Sequence, residues 1–598
     1  MKIEIDYNWH QGNVVIYTDT PESLEWKSLK RIIGDYIPEI IQNRVSMQFA
    51  WRNFLSIKGD VASFVQVHQV NLSISQKATE LLKNAQTLSY NVAVKKGLAS
   101  EQFVKMHLAS AGFARNLTSN QLSNLRKLIT LPAGATFSVP GAGKTTEALA
   151  YFYCNSNLKE RLLVVAPKNA FGAWDEQLEI CVPSETDKFI RLTGGESRIR
   201  NLLAENPRFM LITYQQFLKV KKLISQELTR SSVYMFLDES HRIKSGKLGV
   251  TAESILEVSY LPTKKLIMSG TPMPQSAKDL VPQFKFLYPE KAVTEDTAIN
   301  LMQPIFVRTT KDQLGIPKLE HRLILLNMDE IQLKIYGVLK SELKRQLNSA
   351  LSDDSKYALR HIGKSSMKIL QFVSNPALLA NDMNYAFDPR MGQLLLTCNG
   401  PKIEYACKRA RILASEGKKV IIWSTFVENV ELISERLQDL GADYIHGGVD
   451  TGDENIDDTR EGKIKRFHND PNAMVLVANP SAASEGISLH KVCQYAIYVD
   501  RSFNAAHYLQ SEDRIHRLGL KQNQHPIVEI VECSGTIDQV VRRRLQDKVA
   551  KMSEALNDPS LIVDTIPYDF EGFGDESSDI TPEDAKAVLN YFFSGDES

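Results

Sequence analysis

From Leu117 to Asp500 the sequence repeats one unit: a short aliphatic run, a polar or glycine-containing turn, then a stretch with helical spacing. A first series comprises 135-ATFSV, 162-LLVVAP, 209-FMLITY, 233-VYMFLDE and 265-KLIMSG, and a second comprises 419-KVIIWST, 473-AMVLVAN and 495-YAIYVD. Such runs are buried on both faces, and their alternation with helices predicts parallel sheets. The fold class is therefore α/β, with two parallel-sheet lobes expected over residues 114–315 and 396–548. Residues 316–395 hold few such runs and many helix formers, which predicts a helical connector. Residues 1–113 begin with short runs (Ile3 to Ile5, Val14 to Tyr17) and pass into helical spacing at Leu24, Leu29, Ile32 and Ile33, as in a small α+β accessory domain. Residues 549–598 read as an acidic, partly disordered tail, in which 582-PEDAKAVLNYFF could form one short helix.

Composition narrows the class. With 43% hydrophobic and 24% charged residues the 598-residue chain is ordinary globular material. No stretch approaches the roughly 18 uninterrupted apolar residues of a membrane span. The 71 basic and 71 acidic residues cancel unevenly: Asp564 to Ser598 holds ten carboxylates and one lysine, leaving 70 basic and 61 acidic groups in the body. A mildly basic body allows nucleic-acid binding without demanding it. Six dispersed cysteines without a C-x-x-C suggest neither a zinc site nor a disulfide framework. Together with charged residues where a signal peptide would be apolar, they point to a reducing, cytoplasmic location.

The strongest local signal is 138-SVPGAGKTT, placed after an apolar run and before the helical 147-EALAYFY. Gly141 and Gly143 let backbone N–H groups approach phosphate oxygens, Lys144 sets a cation on the β/γ-phosphates, and Thr145 offers a hydroxyl to Mg²⁺. The candidate ATP-binding stretch runs through Pro140, Gly141, Ala142, Gly143, Lys144, Thr145 and Thr146. The second signal, 236-FLDESHRIK, ends an apolar strand with two carboxylates, where ligands of open α/β sheets bind. Asp238 would hold Mg²⁺ with Thr145, and Glu239 would orient or deprotonate the attacking water. The third, 510-QSEDRIHRLG, spaces Gln510, Arg514 and Arg517 along one face of a predicted helix. The two guanidiniums suit a transferring phosphoryl group, whereas the alternative is a surface helix salt-bridged through Glu512 and Asp513.

In this order the motifs resemble the Swi/Snf-type ATPases of helicase superfamily two, over residues Leu117 to Lys548. By that resemblance 118-TSNQLSNL is similar to the adenine-reading motif, with Gln121 as its reader. The segment 164-VVAPKNAFGAWDEQ resembles motif Ia, 211-LITYQQF motif Ib and 268-MSGTPMPQSAKDL motif III, while 306-FVRTTKD resembles the segment closing the first lobe. In the second lobe 421-IIWSTF resembles motif IV, 484-SEGISL motif V, and 510-QSEDRIHRLG the motif VI form of this family. The sequence departs from the family pattern at Ser138, Ser240, Gln275 and Leu520, and in lacking the paired glycines of motif V. None of these positions supplies a phosphate, metal or arginine-finger ligand.

The resemblance implies an ATP- and Mg²⁺-dependent motor whose track is DNA, duplex or branched before RNA, gripped through phosphates. It also implies that Thr213, Ser269, Thr271 and Ser424 contact the nucleic-acid backbone, the alternative being turn and cap hydroxyls. His241 would couple hydrolysis to the lobe interface. Trp9, Trp26 and Trp51 suit either the core of a small domain or a base-stacking platform. Three activities stay open: a DNA translocase, a strand-separating helicase, and an ATP-gated clamp or scaffold with slow hydrolysis.

Overall fold

A computed structural model describes residues 1–561 except 10, 38–39, 88, 95–96, 158, 244–249, 351–365, 381–399, 451, 453–454, 484–487 and 522; beyond these it describes 584, 587–588 and 590–591. The chain divides into two compact units, Met1–Thr310 and Lys311–Ser598.

The first unit contains two sheets. Strands β1 (Lys2–Asn8), β2 (Asn13–Thr18), β3 (Ile41–Gln42), β4 (Ser46–Ala50) and β5 (Asn71–Ile74) form a five-stranded sheet in the order β3-β4-β2-β1-β5. Along β1 the side chains of Ile3, Ile5 and Tyr7 alternate into the core, as the period of two requires. Trp26 and Trp51 are fully buried there, which favours core packing for both, while Trp9 is 44% exposed. These residues are not a free-standing module. The Tyr7 hydroxyl lies 2.9 Å from that of Tyr260, which donates to the Gly12 carbonyl at 3.2 Å, and Arg52 pairs with Glu253 at 2.7 Å. Tyr90 adds edge contacts to Phe284 and Tyr288.

The second sheet carries β6 (Ala133–Thr136), β7 (Arg161–Val165), β8 (Phe189–Arg191), β9 (Phe209–Ile212), β10 (Val233–Asp238), β11 (Lys264–Met268) and β12 (Phe306–Val307). Their order is β12-β6-β11-β10-β7-β9-β8, and every pairing is parallel. The C-terminal ends of β6 and β10 thus open on the same edge, which is where a doubly wound sheet binds ligands.

The second unit is built on six parallel strands, β13 (Glu320–Leu326), β14 (Lys419–Trp423), β15 (Asp443–Ile445), β16 (Val475–Ala478), β17 (Cys493–Tyr498) and β18 (Ile527–Cys533), in the order β13-β18-β17-β14-β16-β15. Its core joins Val420, Ile422, Val475, Val477 and Ile497 to the helices Pro401–Ser415 and Val427–Arg436. Two expectations are corrected. Lys311 to Gly315 belong to this unit rather than to the first lobe, and β13 is an edge strand where a helical connector was expected. Its side chains are only partly covered, so the sequence lacks the fully apolar run of a central strand. Within the connector, Glu330–Ala350 and Pro376–Ala380 are helical, whereas 351–365 and 381–399 lie outside the described residues.

The helix Asp538–Leu556 closes the unit, and part of the tail packs on it. Asp584 is fully buried between Arg544 (2.6 Å) and Lys548 (2.8 Å), and the Tyr591 hydroxyl lies 2.9 Å from that of Tyr336. The described tail residues 584, 587–588 and 590–591 are helical, and the acidic stretch 569–579 lies outside the described residues. Among the described residues no helix is long and apolar enough to cross a membrane.

Candidate nucleotide site

The phosphate loop follows β6 directly. Gly141 (φ 87°) and Gly143 (φ 80°) both take the left-handed conformation that side chains disfavour. At Gly143 a Cβ would also collide with the Gln121 amide. The helix Lys144–Asn155 starts at this glycine, so its first N–H groups and its dipole face the loop. Loop backbone is tied to the strand edge by Val139 N–H donating to Thr309 O (3.1 Å) and Ala142 N–H donating to Val139 O (3.2 Å). Ser138 is buried, its hydroxyl accepting from Thr309 N–H (3.0 Å) and Thr136 (3.2 Å). Its departure from the family pattern therefore serves the loop's anchoring. The Lys144 ammonium donates to the Ser138 carbonyl at 3.0 Å, inside the loop it is expected to serve.

Two positions sit differently from their expected roles. Gln121 is buried in a capping box with Thr118, and its Nε2 donates to Ala142 O at 3.1 Å, so its amide holds the phosphate loop. The Thr146 hydroxyl is buried and donates to Gln177 Oε1 at 2.8 Å, which leaves only its backbone N–H for a phosphate.

Beside the loop, β10 ends in the carboxylate pair. Asp238 accepts from Trp174 Nε1 at 3.0 Å and from Glu239 N–H at 3.0 Å, and its carbonyl accepts from the Tyr214 hydroxyl at 2.7 Å. Glu239 adopts φ 50°, ψ 54°, a left-handed conformation uncommon for a residue with a Cβ. Strain of this kind persists only where neighbours over-determine it. Here the neighbours are His241, 3.3 Å from the carboxylate, and Ser240, whose hydroxyl donates to Gln283 Oε1 at 2.8 Å. The two carboxyls are driven apart in acidity. Burial and the adjacent Glu239 charge raise Asp238, while Glu239 is held low because His241, Lys144 and Arg242 together outweigh its own burial. Such a split between adjacent groups is usual where acid–base roles differ.

In the second unit the expected helical face is not formed. The helix Ala505–Glu512 ends before Arg514, so Gln510, Arg514 and Arg517 do not follow the i, i+4, i+7 spacing of one helix. At the end of this helix Glu512 pairs with His321 (2.5 Å) and Asp513 with Lys311 (2.6 Å), and Leu489 N–H donates to the Arg514 carbonyl at 2.8 Å. Gln510 and Arg514 are both buried, joined by Arg514 Nε donating to Gln510 O at 2.7 Å, and Arg517 is half-buried. Glu512 and Asp513 are equally buried, so neither forms the surface salt bridge of the alternative reading.

Residues 133–298 match the SNF2-related domain, and residues 401–519 match the helicase conserved C-terminal domain. The chain thus carries an SNF2-related domain followed by a helicase conserved C-terminal domain. Among its relatives, the Mus musculus "Chromodomain-helicase-DNA-binding protein 1-like" is 24% identical over 443 residues, covering 68% of this chain and 46% of that protein. The Saccharomyces cerevisiae "Transcription regulatory protein SNF2" is 21% identical over 457 residues, covering 68% of this chain and 26% of that protein. The chain thus spans less than half the length of either relative. A solved structure, "Sulfolobus solfataricus SWI2/SNF2 ATPase core in complex with dsDNA", is 20% identical with a TM-score of 0.32, covering 75% of this chain and 94% of that one.

The four expected nucleic-acid hydroxyls need correction. Ser269 is fully buried, lying 3.0 Å from His241 Nδ1 and accepting from Thr271 N–H at 3.1 Å, and Thr271 is itself buried. Ser424 is fully buried and donates to Asp500 at 2.6 Å. Thr213 caps the helix Tyr214–Arg230 by accepting from Gln216 N–H at 3.1 Å. The cap and turn alternative therefore describes Thr213 and Ser269 better than an open backbone contact does. What sequence reasoning missed is the layer behind the carboxylates: Trp174, Tyr214, Ser240 and Gln283 carry no motif-level signal of their hydrogen bonds, although Trp174 stands at a family-characteristic place. The motif V segment 484–487 lies outside the described residues.

Proposed function

We propose that this chain is a nucleic-acid-dependent ATPase that moves along or remodels DNA, with ATP hydrolysed at the edge of the first sheet. The observation that carries this is the connected series Glu239, His241, Ser269, Thr271. It joins the strained carboxylate at the end of β10 to the segment after β11 through contacts of 3.3, 3.0 and 3.1 Å. A water-activating carboxylate wired to a neighbouring motif suits a site whose hydrolysis is coupled to movement rather than one that only binds nucleotide.

The phosphate-loop N–H groups and Lys144 would bind the β/γ-phosphates, and Glu239 would orient the attacking water. Arg514 and Arg517 would stabilise charge on the transferring group. Thr145 and Asp238 offer the hard oxygen donors that suit Mg²⁺, and the low count of protein ligands matches that ion's habit of being held partly by substrate phosphates. The ion would neutralise phosphate charge when bound. For the track we propose DNA, duplex or branched in preference to RNA, and for the compartment the cytoplasm, since the described cysteines Cys154, Cys181, Cys407, Cys493 and Cys533 are free thiols.

Steady-state ATPase activity of the full chain decides the reading, measured alone and with single-stranded, duplex and forked DNA and with RNA. Stimulation by duplex or forked DNA is expected. Stimulation by RNA alone would replace the track, and a rate indifferent to every nucleic acid would transfer the reading to an ATP-gated clamp.

A further inference from the structure

The backbone that leaves the first unit holds the phosphate loop with one residue and the arginine-bearing turn with another. Within the first unit, Thr309 N–H donates to Ser138 Oγ at 3.0 Å and its carbonyl accepts from Val139 N–H at 3.1 Å, both in the loop strand. Two positions later, within the second unit, the Lys311 ammonium lies 2.6 Å from Asp513 Oδ1 and 3.2 Å from His516 Nδ1. The same segment makes two more attachments to that turn. His516 Nε2 donates to the Pro317 carbonyl at 2.6 Å, and His321 pairs with Glu512 at 2.5 Å. Glu512, Asp513 and His516 are all buried, and they bracket Arg514 and precede Arg517.

The ionic arrangement is consistent with one fixed geometry. Burial, and then the Lys311 charge, push His516 down to about 3, so its ring is neutral, with one nitrogen donating to Pro317 and the other accepting from Lys311. Glu512 is held low: His321, Tyr508 and Lys311 together outweigh its burial. Buried pairs of this kind are poor sources of net stability but strong determinants of geometry, because losing one partner strands the other.

We propose that Lys311 is a positioning residue for the arginines: it locks the turn 512–517 to the same short stretch of backbone that anchors the phosphate loop, so that displacement of residues 309–311 is passed to Arg514 and Arg517. The proposal rests on the reading of those arginines given under Proposed function. Its content beyond that reading is that the connecting segment, together with the helix Ala505–Glu512 whose Gln510 carbonyl accepts from Arg514 Nε, sets where the guanidiniums stand.

Two measurements on the full chain test it. In Lys311→Met, hydrogen exchange at the amides of Arg514, Ile515 and His516 should quicken by about tenfold or more, while β17 and β18 keep their protection. In the same variant kcat for ATP should fall by about tenfold with KM for ATP within about twofold, since a misplaced group of this kind acts on the transition state. Lys311→Arg should restore most of both. Asp513→Asn should reproduce the exchange effect, and combining it with Lys311→Met should add little. Unchanged exchange at 514–516 in both single variants would overturn the proposal, as would a kcat unaffected in a variant whose exchange has quickened. An unsubstituted chain without any ATPase activity would count against the proposed function instead, and the exchange experiment would still decide whether Lys311 fixes the turn.

Discussion

The phosphate loop of the first unit and the arginine turn of the second are both short segments assigned to ATP hydrolysis in the proposed reading, yet neutral hydrogen bonds hold the one and charged partners the other. The loop takes its path from two left-handed glycines and a helix N-terminus, and neutral hydrogen bonds from Gln121 and Thr309 hold it in place. The arginine turn takes its shape from partners nearly two hundred residues away, Lys311, Pro317 and His321. A segment whose turn is set by its own glycines keeps that turn when its partners shift. One held by remote charges is as movable as the backbone that holds it, which suits a group required only at the moment of hydrolysis.

Substitutions that strike one region and spare the other sharpen this contrast. Arg517→Ala carries the largest expected effect, about 10³-fold or more in the hydrolysis rate with ATP binding nearly kept, read by single-turnover hydrolysis. Glu239→Gln should follow, at about 10² to 10⁴-fold in kcat, with the fold intact by circular dichroism and nucleotide still bound. Ser269→Ala breaks the link from His241 to Thr271 and should cost about tenfold in nucleic-acid-stimulated kcat, leaving the unstimulated rate closer to normal. Tyr260→Phe is the smallest. It removes the hydroxyl shared with Tyr7 and Gly12 and should lower the stability of the first unit by about 1 kcal/mol in a urea titration, without changing ATP hydrolysis at saturating substrate.

The same contrast explains what the sequence disclosed. Central strands such as β7, β9 and β10 announce themselves as continuous apolar runs, and the glycines and lysine of the phosphate loop can be read from spacing alone, because each acts where it stands. β18 was hidden because Glu529 and Glu532 interrupt its run, and both are buried only because Arg409 and Tyr405 cover the one and Arg501 covers the other. β13 was hidden because an edge strand keeps polar residues on its partly open faces. The helical face drawn through Gln510, Arg514 and Arg517 failed for a related reason: periodicity describes a helix's preference, and it does not show that Glu512 and Asp513 meet His321 and Lys311 where the helix ends. Ser269 and Ser424 were legible as hydroxyls at strand ends, but only the structure supplies His241 and Asp500 as their partners.

The central proposal is that Glu239 orients the attacking water and that Arg517 stabilises the transition state of the same hydrolysis. It is tested most directly by measuring ATP affinity and single-turnover hydrolysis together in Arg517→Ala, with saturating duplex DNA and Glu239→Gln alongside. The expected result is affinity within about threefold of the unsubstituted chain and a rate reduced by at least about a hundredfold in both variants. An equal loss of affinity and rate in Arg517→Ala would make the arginine a ground-state contact, and an undiminished rate would remove Arg517 from the hydrolysis.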